Sequence, residues 1–168
     1  MKRAWWIVIG LAALVIGGTM TAIKINNIVT ALPKGTGAYR KRKLSQITGI
    51  VIHHSASDSG TAFDYARWHI GRGWPGIGYH FVISADGTVN QTNEIDTVSY
   101  HVADHNTPNV GICLVGNLSN HPPTVKQLES LKKLIQHVST AVGTQLIVRG
   151  HRDLNPTECP GKLMKIAY

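Results

Sequence analysis

Three side chains far apart in the chain have the types and surroundings to do chemistry together. The stretch "GHRDLNPTECPG", Gly150 to Gly161, places His151 and Cys159 eight residues apart in a segment too broken by proline to be helical. Upstream, "IVIHHS" ends an apolar run on His53 and His54. A thiolate and two neutral imidazoles make a zinc-ligand set, and three protein ligands leave a fourth position for water, as a catalytic zinc requires. A closed structural site would need four ligands, commonly in close pairs, and the chain has no CxxC. HExxH is absent too, which removes the helical zinc-protease arrangement. Spacing alone leaves a second chemistry open, a cysteine nucleophile with a histidine base. Against it, Cys159 in "TECPG" opens no visible helix whose N-terminus could favour a thiolate.

The elements that must position these groups alternate between strand and helix signals. "ITGIVIHHS" is a β-branched run that reads as a buried strand carrying His53 and His54 at its carboxyl end. "TQLIVRGH" is a second strand, delivering His151 in the same way, and the loop from Asn155 to Pro160 would return Cys159 to that strand end. "GTAFDYARWHIGRG" predicts a helix with Phe63, Ala66 and Ile70 on its apolar side. "GYHFVISADGTVNQT" predicts a hairpin about Asp86-Gly87, with a type I′ turn. "NVGICLVG" is another buried strand, in which Cys113 reads as a small core hydrophobe. "TVKQLESLKKLIQHVSTAV" opens on a Thr124/Gln127 capping box and carries a stripe of Leu128, Leu131, Leu134, Ile135 and Val138. The expected fold is α/β, a central mixed β-sheet flanked by helices, with the chemistry beyond the carboxyl ends of the strands.

Charge and hydropathy separate this domain from what precedes it. The chain has 168 residues and a net charge of +8. Residues 1–43 hold eight basic residues and no acid, whereas 44–168 hold nine of each. The excess is confined to the arm, so it does not describe a nucleic-acid-binding domain. Trp5 to Ile23 is nineteen residues without a charge, about 28 Å of helix, with Trp5, Trp6, Lys2 and Arg3 placed for an interface. Residues 1–23 are therefore expected to be an N-terminal transmembrane helix, anchoring or later released, and 24–45 a basic linker containing "RKRK". Lys2 and Arg3 favour a cytoplasmic N-terminus and an exported domain, residues 46–168. Two cysteines make no disulfide scaffold.

"IVIHHSAS", "WHIGRGWPGIGYHFVISADGTV", "NVGICLVGN" and "LIVRGHRDLNPTECPG", in that order, resemble the type 2 N-acetylmuramoyl-L-alanine amidases. These are zinc enzymes that include phage lysozymes and the peptidoglycan-recognition proteins, and the resemblance spans roughly residues 46–165. It implies that His53, His151 and Cys159 hold Zn2+, and that Tyr79 and Thr157 act beside it. Thr157 stands where the family has lysine or threonine. It further implies substrate contacts from His54, Trp74, His80, His101 and Asn106, with packing an equal reading for Trp74 and Glu94 a carboxylate near the site. The implied reaction is hydrolysis of the amide joining N-acetylmuramic acid to L-alanine in peptidoglycan, by a monomeric phage or prophage endolysin. Its expected location is the inner membrane or the periplasmic, cell-wall face. Family members without the cysteine bind wall without cutting it, so a non-catalytic binding module is one alternative. A regulator that binds a protein partner is the other.

Overall fold

The computed structural model describes residues 22–165. The strands are β1 (Ile25–Asn27), β2 (Arg40–Lys41), β3 (Gly49–His54), β4 (Phe81–Ile83), β5 (Val89–Gln91), β6 (Thr97–Val98), β7 (Asn109–Leu114) and β8 (Ile147–Gly150). Two helices accompany them, α1 (Ala62–Gly71) and α2 (Val125–Val142). The main sheet has the order β1-β5-β4-β7-β3-β8, and β2 pairs with β6 apart from it. Every pairing in the main sheet is parallel except β4 with β5. The sheet is mixed, as its sequence pattern predicts.

Strands β3 and β7 are buried along their whole lengths, which is why they read as unbroken apolar runs rather than alternating ones. Alternation still sorts their side chains by face. Ile50, Ile52, Ile112 and Leu114 pack with Leu131, Leu134 and Val138 of α2. Val82, Cys113 and Val115 pack with Ala62 and Ala66 of α1. Cys113 is the small core residue its context suggests. The Thr124 hydroxyl accepts from the Gln127 N–H, and the Gln127 side chain returns the bond to the Thr124 backbone. Gln127 is also buried, donating to the carbonyls of Ile83 and Val115. That rotation leaves Leu128 on the rim, 42% exposed, so the apolar stripe of α2 is narrower than the sequence implies.

Two further features differ from expectation. The β4–β5 turn is not type I′, because only Gly87 has positive φ (87°) while Asp86 does not. Asp86 Oδ1 instead accepts from the Thr88 N–H, and Gly87 N–H donates to Ser84 O. The result is a three-residue loop ending in a left-handed glycine. Residues 24–45 are not a free tether. β1 extends the main sheet, Leu32 is buried among the residues under α1, and Arg42 is buried. A run of like charges in sequence is split in space: Lys41 bonds Asp96 and Arg42 turns inward to backbone carbonyls. The transmembrane helix expected over 1–23 lies outside the described residues except for Ala22 and Ile23. Among the described residues no helix is long and apolar enough to cross a membrane.

Candidate metal centre

The sheet register assembles the site. Ile52 of β3 pairs with Gly150 of β8 in parallel, so the next residues, His53 and His151, leave adjacent strands side by side. Their rings lie 4.7 Å apart between centroids. The loop after His151 closes through the Arg152 N–H donating to Cys159 O at 2.7 Å, and the Cys159 N–H donates to Thr157 Oγ1 at 3.2 Å. Cys159 Sγ thereby reaches 3.6 Å from His53 Nδ1. One ligand atom from each of His53, His151 and Cys159 lies within 4.8 Å of the others. Both cysteines are free thiols.

This donor set fits zinc. Zn–S of about 2.3 Å and Zn–N of about 2.0 Å at a tetrahedral angle separate sulfur from nitrogen by about 3.5 Å. The Cys159–His53 spacing of 3.6 Å matches that requirement. Burial holds His53 well below the usual histidine pKa, reinforced by His101 and His151, and burial also lowers His151 against an opposing contact from Asn155. Both rings are thus neutral donors at physiological pH. Burial pushes the Cys159 thiol up to about 11, although the backbone N–H of His54 and the charge of Arg152 oppose it. Burial outweighs both, so the thiol, beside a neutral imidazole, lacks the depressed pKa that marks a cysteine nucleophile. A cation is what would draw the proton off.

That proton sets a pH dependence. Below pH 11 the metal-free thiol is protonated, while the two imidazoles are already neutral, so binding a divalent ion releases one proton. Zinc affinity is expected to rise about tenfold per pH unit between pH 7 and 9 and to fall as pH drops, measured by competition with a chromophoric chelator. A flat profile would mean the thiol is not a ligand.

The remaining residues expected at the site divide by position. The Tyr79 ring lies 5.3 Å from that of His53 and faces a cleft of about 460 Å³. Ser55, Ser57, Tyr65, Trp68 and His69 also line the cleft. Thr157 is exposed beside the thiol. Trp74 stacks on His69 at 4.6 Å and 8°, which is packing. His80, expected to touch substrate, is fully enclosed: its Nδ1 accepts from the Gly111 N–H and its Nε2 lies 2.8 Å from Thr97 O. The His54 ring is turned to the other face of β3, where Nδ1 accepts from the Leu118 N–H. Asn106 Oδ1 accepts from the N–H groups of His101 and Val102, folding that loop. His101 is buried with Nδ1 3.0 Å from His53 Nε2 and Nε2 3.2 Å from Asn109 O. These four support the site from behind rather than line the cleft. Glu94 is exposed and accepts from Gln91. Sequence reasoning did not single out Asn155, which opposes the effect of burial on His151, or Arg42; neither carries a signal that separates it from ordinary loop residues.

Fold and donor set together define an α/β enzyme with a three-donor centre at the carboxyl edge of a largely parallel sheet. Residues 43–162 match the family described as N-acetylmuramoyl-L-alanine amidase, and the chain belongs to that family. It is 33% identical to an endolysin of Klebsiella phage KP32, over 70% of this chain and 83% of that protein. The solved amidase LysC from Clostridium intestinale superposes with a TM-score of 0.72 at 28% identity, covering 84% of this chain and 91% of the other. The Ph2119 endolysin from a Thermus scotoductus bacteriophage does so at 0.73 and 28%, covering 84% and 94%.

Proposed function

We propose that the protein is a zinc-dependent amidase that cuts the bond between N-acetylmuramic acid and L-alanine in peptidoglycan, serving a phage or prophage as its endolysin. The observation that carries the reading is the tetrahedral spacing of Cys159 and His53 at a centre that His151 completes, with Tyr79 standing between His53 and the neighbouring cleft. When bound, zinc supplies Lewis acidity toward a carbonyl oxygen and a water acidic enough to react near neutral pH. The chain's own groups orient the substrate. Burial keeps the Tyr79 hydroxyl protonated, its pKa well above the usual value; it is bonded to the Cys113 side chain here and would have to turn from it to donate to the reacting oxygen. Thr157 Oγ1 is engaged as an acceptor by the Cys159 N–H, leaving its hydroxyl hydrogen for one bond to substrate.

The proposal includes a monomeric domain held on the outer face of the inner membrane by residues 1–23, idle until released. Register says which edge such a tether would leave from. Ile25 pairs with Val89, Val89 with Ile83, Ile83 with Leu114 and Leu114 with His54. The strand that follows the apolar segment therefore starts on the sheet edge that bears the site, four strand spacings or roughly 19 Å away. A segment held in the bilayer would keep that edge toward the membrane.

Incubating the purified chain with cell walls is expected to release new L-alanine N-termini, and stripping zinc with a chelator to stop the release until metal is restored. Wall binding without new N-termini would identify a non-catalytic recognition module instead. Full hydrolysis after complete metal removal would overturn the zinc reading.

A further inference from the structure

Behind His53 lies a chain of contacts that no part of the proposed reaction requires. His53 Nε2 is 3.0 Å from His101 Nδ1, and His101 Nε2 is 3.2 Å from the carbonyl oxygen of Asn109. That same oxygen accepts from Arg42 Nη1 at 2.7 Å. Arg42 also donates to the carbonyls of Asn106, Thr107 and Ile95, at 2.8, 2.6 and 2.9 Å. It is only 7% exposed, and its direct partners are these backbone oxygens and the His80 ring, whose Nε2 lies 3.1 Å from Arg42 Nη2, rather than a carboxylate.

A carbonyl oxygen only accepts, so His101 Nε2 must carry a hydrogen. The ring is buried and neutral, which leaves a lone pair on Nδ1. His53 Nε2, facing that lone pair, must then carry the hydrogen of its own ring. His53 Nδ1 is left bare, and it is the atom that faces Cys159 Sγ. One carbonyl, fixed in place, thus decides which nitrogen of His53 can bind a cation. The backbone makes room for this arrangement: a Cβ on Gly111 would stand 2.5 Å from His101 Cγ, so the ring fits only because β7 has glycine there.

We propose that Arg42 and His101 are positioning residues for the metal centre: Arg42 anchors the Asn109 carbonyl, and His101 passes the resulting tautomer to His53. The arm that precedes the domain is thereby part of the site's support. This rests on His53 being a metal ligand, and the test separates the two ideas.

The full chain, labelled with 15N at histidine and stripped of metal, reports tautomers through imidazole nitrogen shifts. His53 and His101 are both expected to be protonated on Nε2. Zinc affinity is then measured by chelator competition for wild type, His101→Phe, Gly111→Ala and Arg42→Met, with melting temperature as the control for folding. Removing an outer partner of a metal-bound histidine weakens affinity by about 10–100-fold, and that loss is expected in each folded variant. His101→Phe keeps a planar ring but no nitrogen and should also leave His53 without a fixed tautomer. Should Arg42→Met fail to fold, the other two substitutions decide the matter. Folded His101→Phe and Gly111→Ala proteins with wild-type zinc affinity and an unchanged His53 tautomer overturn the proposal. So does a zinc-binding wild type with His53 protonated on Nδ1. A wild type that shows the assigned tautomers yet binds no zinc overturns the metal reading alone and leaves the relay standing.

Discussion

Cys159→Ser is expected to abolish wall hydrolysis while leaving the melting temperature of the metal-free protein nearly unchanged. Serine keeps the shape of the loop, because both bonds that close it use the main chain of residue 159: Arg152 N–H to Cys159 O, and Cys159 N–H to Thr157 Oγ1. The side chain is only partly buried, and its loss opens no cavity. What disappears is the one donor that becomes an anion on binding metal. A hydroxyl is far more reluctant than a thiol to do so, and two imidazoles alone hold zinc weakly. Without zinc, the acidity of the attacking water returns toward that of bulk water, a difference of many orders of magnitude in hydroxide supply. The expected rate loss is on the order of a thousandfold or more. Zinc analysis of the variant should show well under one ion per chain, and added zinc in excess should restore little. A cysteine nucleophile would also be silenced by this change, so the decisive companion is the wild type. There the thiol reading predicts that metal removal is harmless, and the zinc reading predicts that it is fatal.

The site was readable in sequence where polar residues interrupt an apolar pattern. His53, His54 and His151 stand at the ends of β-branched runs, and a parallel sheet sends such ends to one edge. Cys159 stands in a loop whose prolines and glycines rule out a helix. The α2 helix was equally legible, since its capping box is local and both of its hydrogen bonds form. What stayed hidden depends on neighbours distant in the chain. His80 and His101 look like the other histidines until Gly111, Thr97 and the Asn109 carbonyl are placed against them. Arg42 is one cation among four in a row, and nothing local says that it alone meets four backbone carbonyls. The reading of residues 24–45 as a linker failed for the same reason. Proline, glycine and positive charge describe a flexible tether, but Leu32 and β1 acquire partners only once β5 and α1 exist.

That correction has a large consequence for where the chain can be cut. A protein beginning at residue 44, close to the start of the family match, is expected to lose cooperative folding, whereas one beginning at residue 22 should melt like the full chain. The cut at 44 removes β1 and bares the edge of β5, an invitation to aggregation. It removes Leu32 from the core beneath α1. It also removes Arg42, leaving the carbonyls of Ile95, Asn106, Thr107 and Asn109 without their charged donor. A buried polar group stripped of its partner costs about 1–3 kcal/mol. Of the four contacts only that to the Asn109 carbonyl is fully buried, so this loss adds to the bared edge and the missing Leu32 against a typical stability of about 5–15 kcal/mol. Thermal unfolding followed by circular dichroism separates the outcomes. A sharp transition for residues 44–168, within a few degrees of that for 22–168, would show that the arm merely rests on the domain. Loss of the transition in the shorter chain alone would show that the domain begins at the first strand of its sheet, some twenty residues before the match to its family.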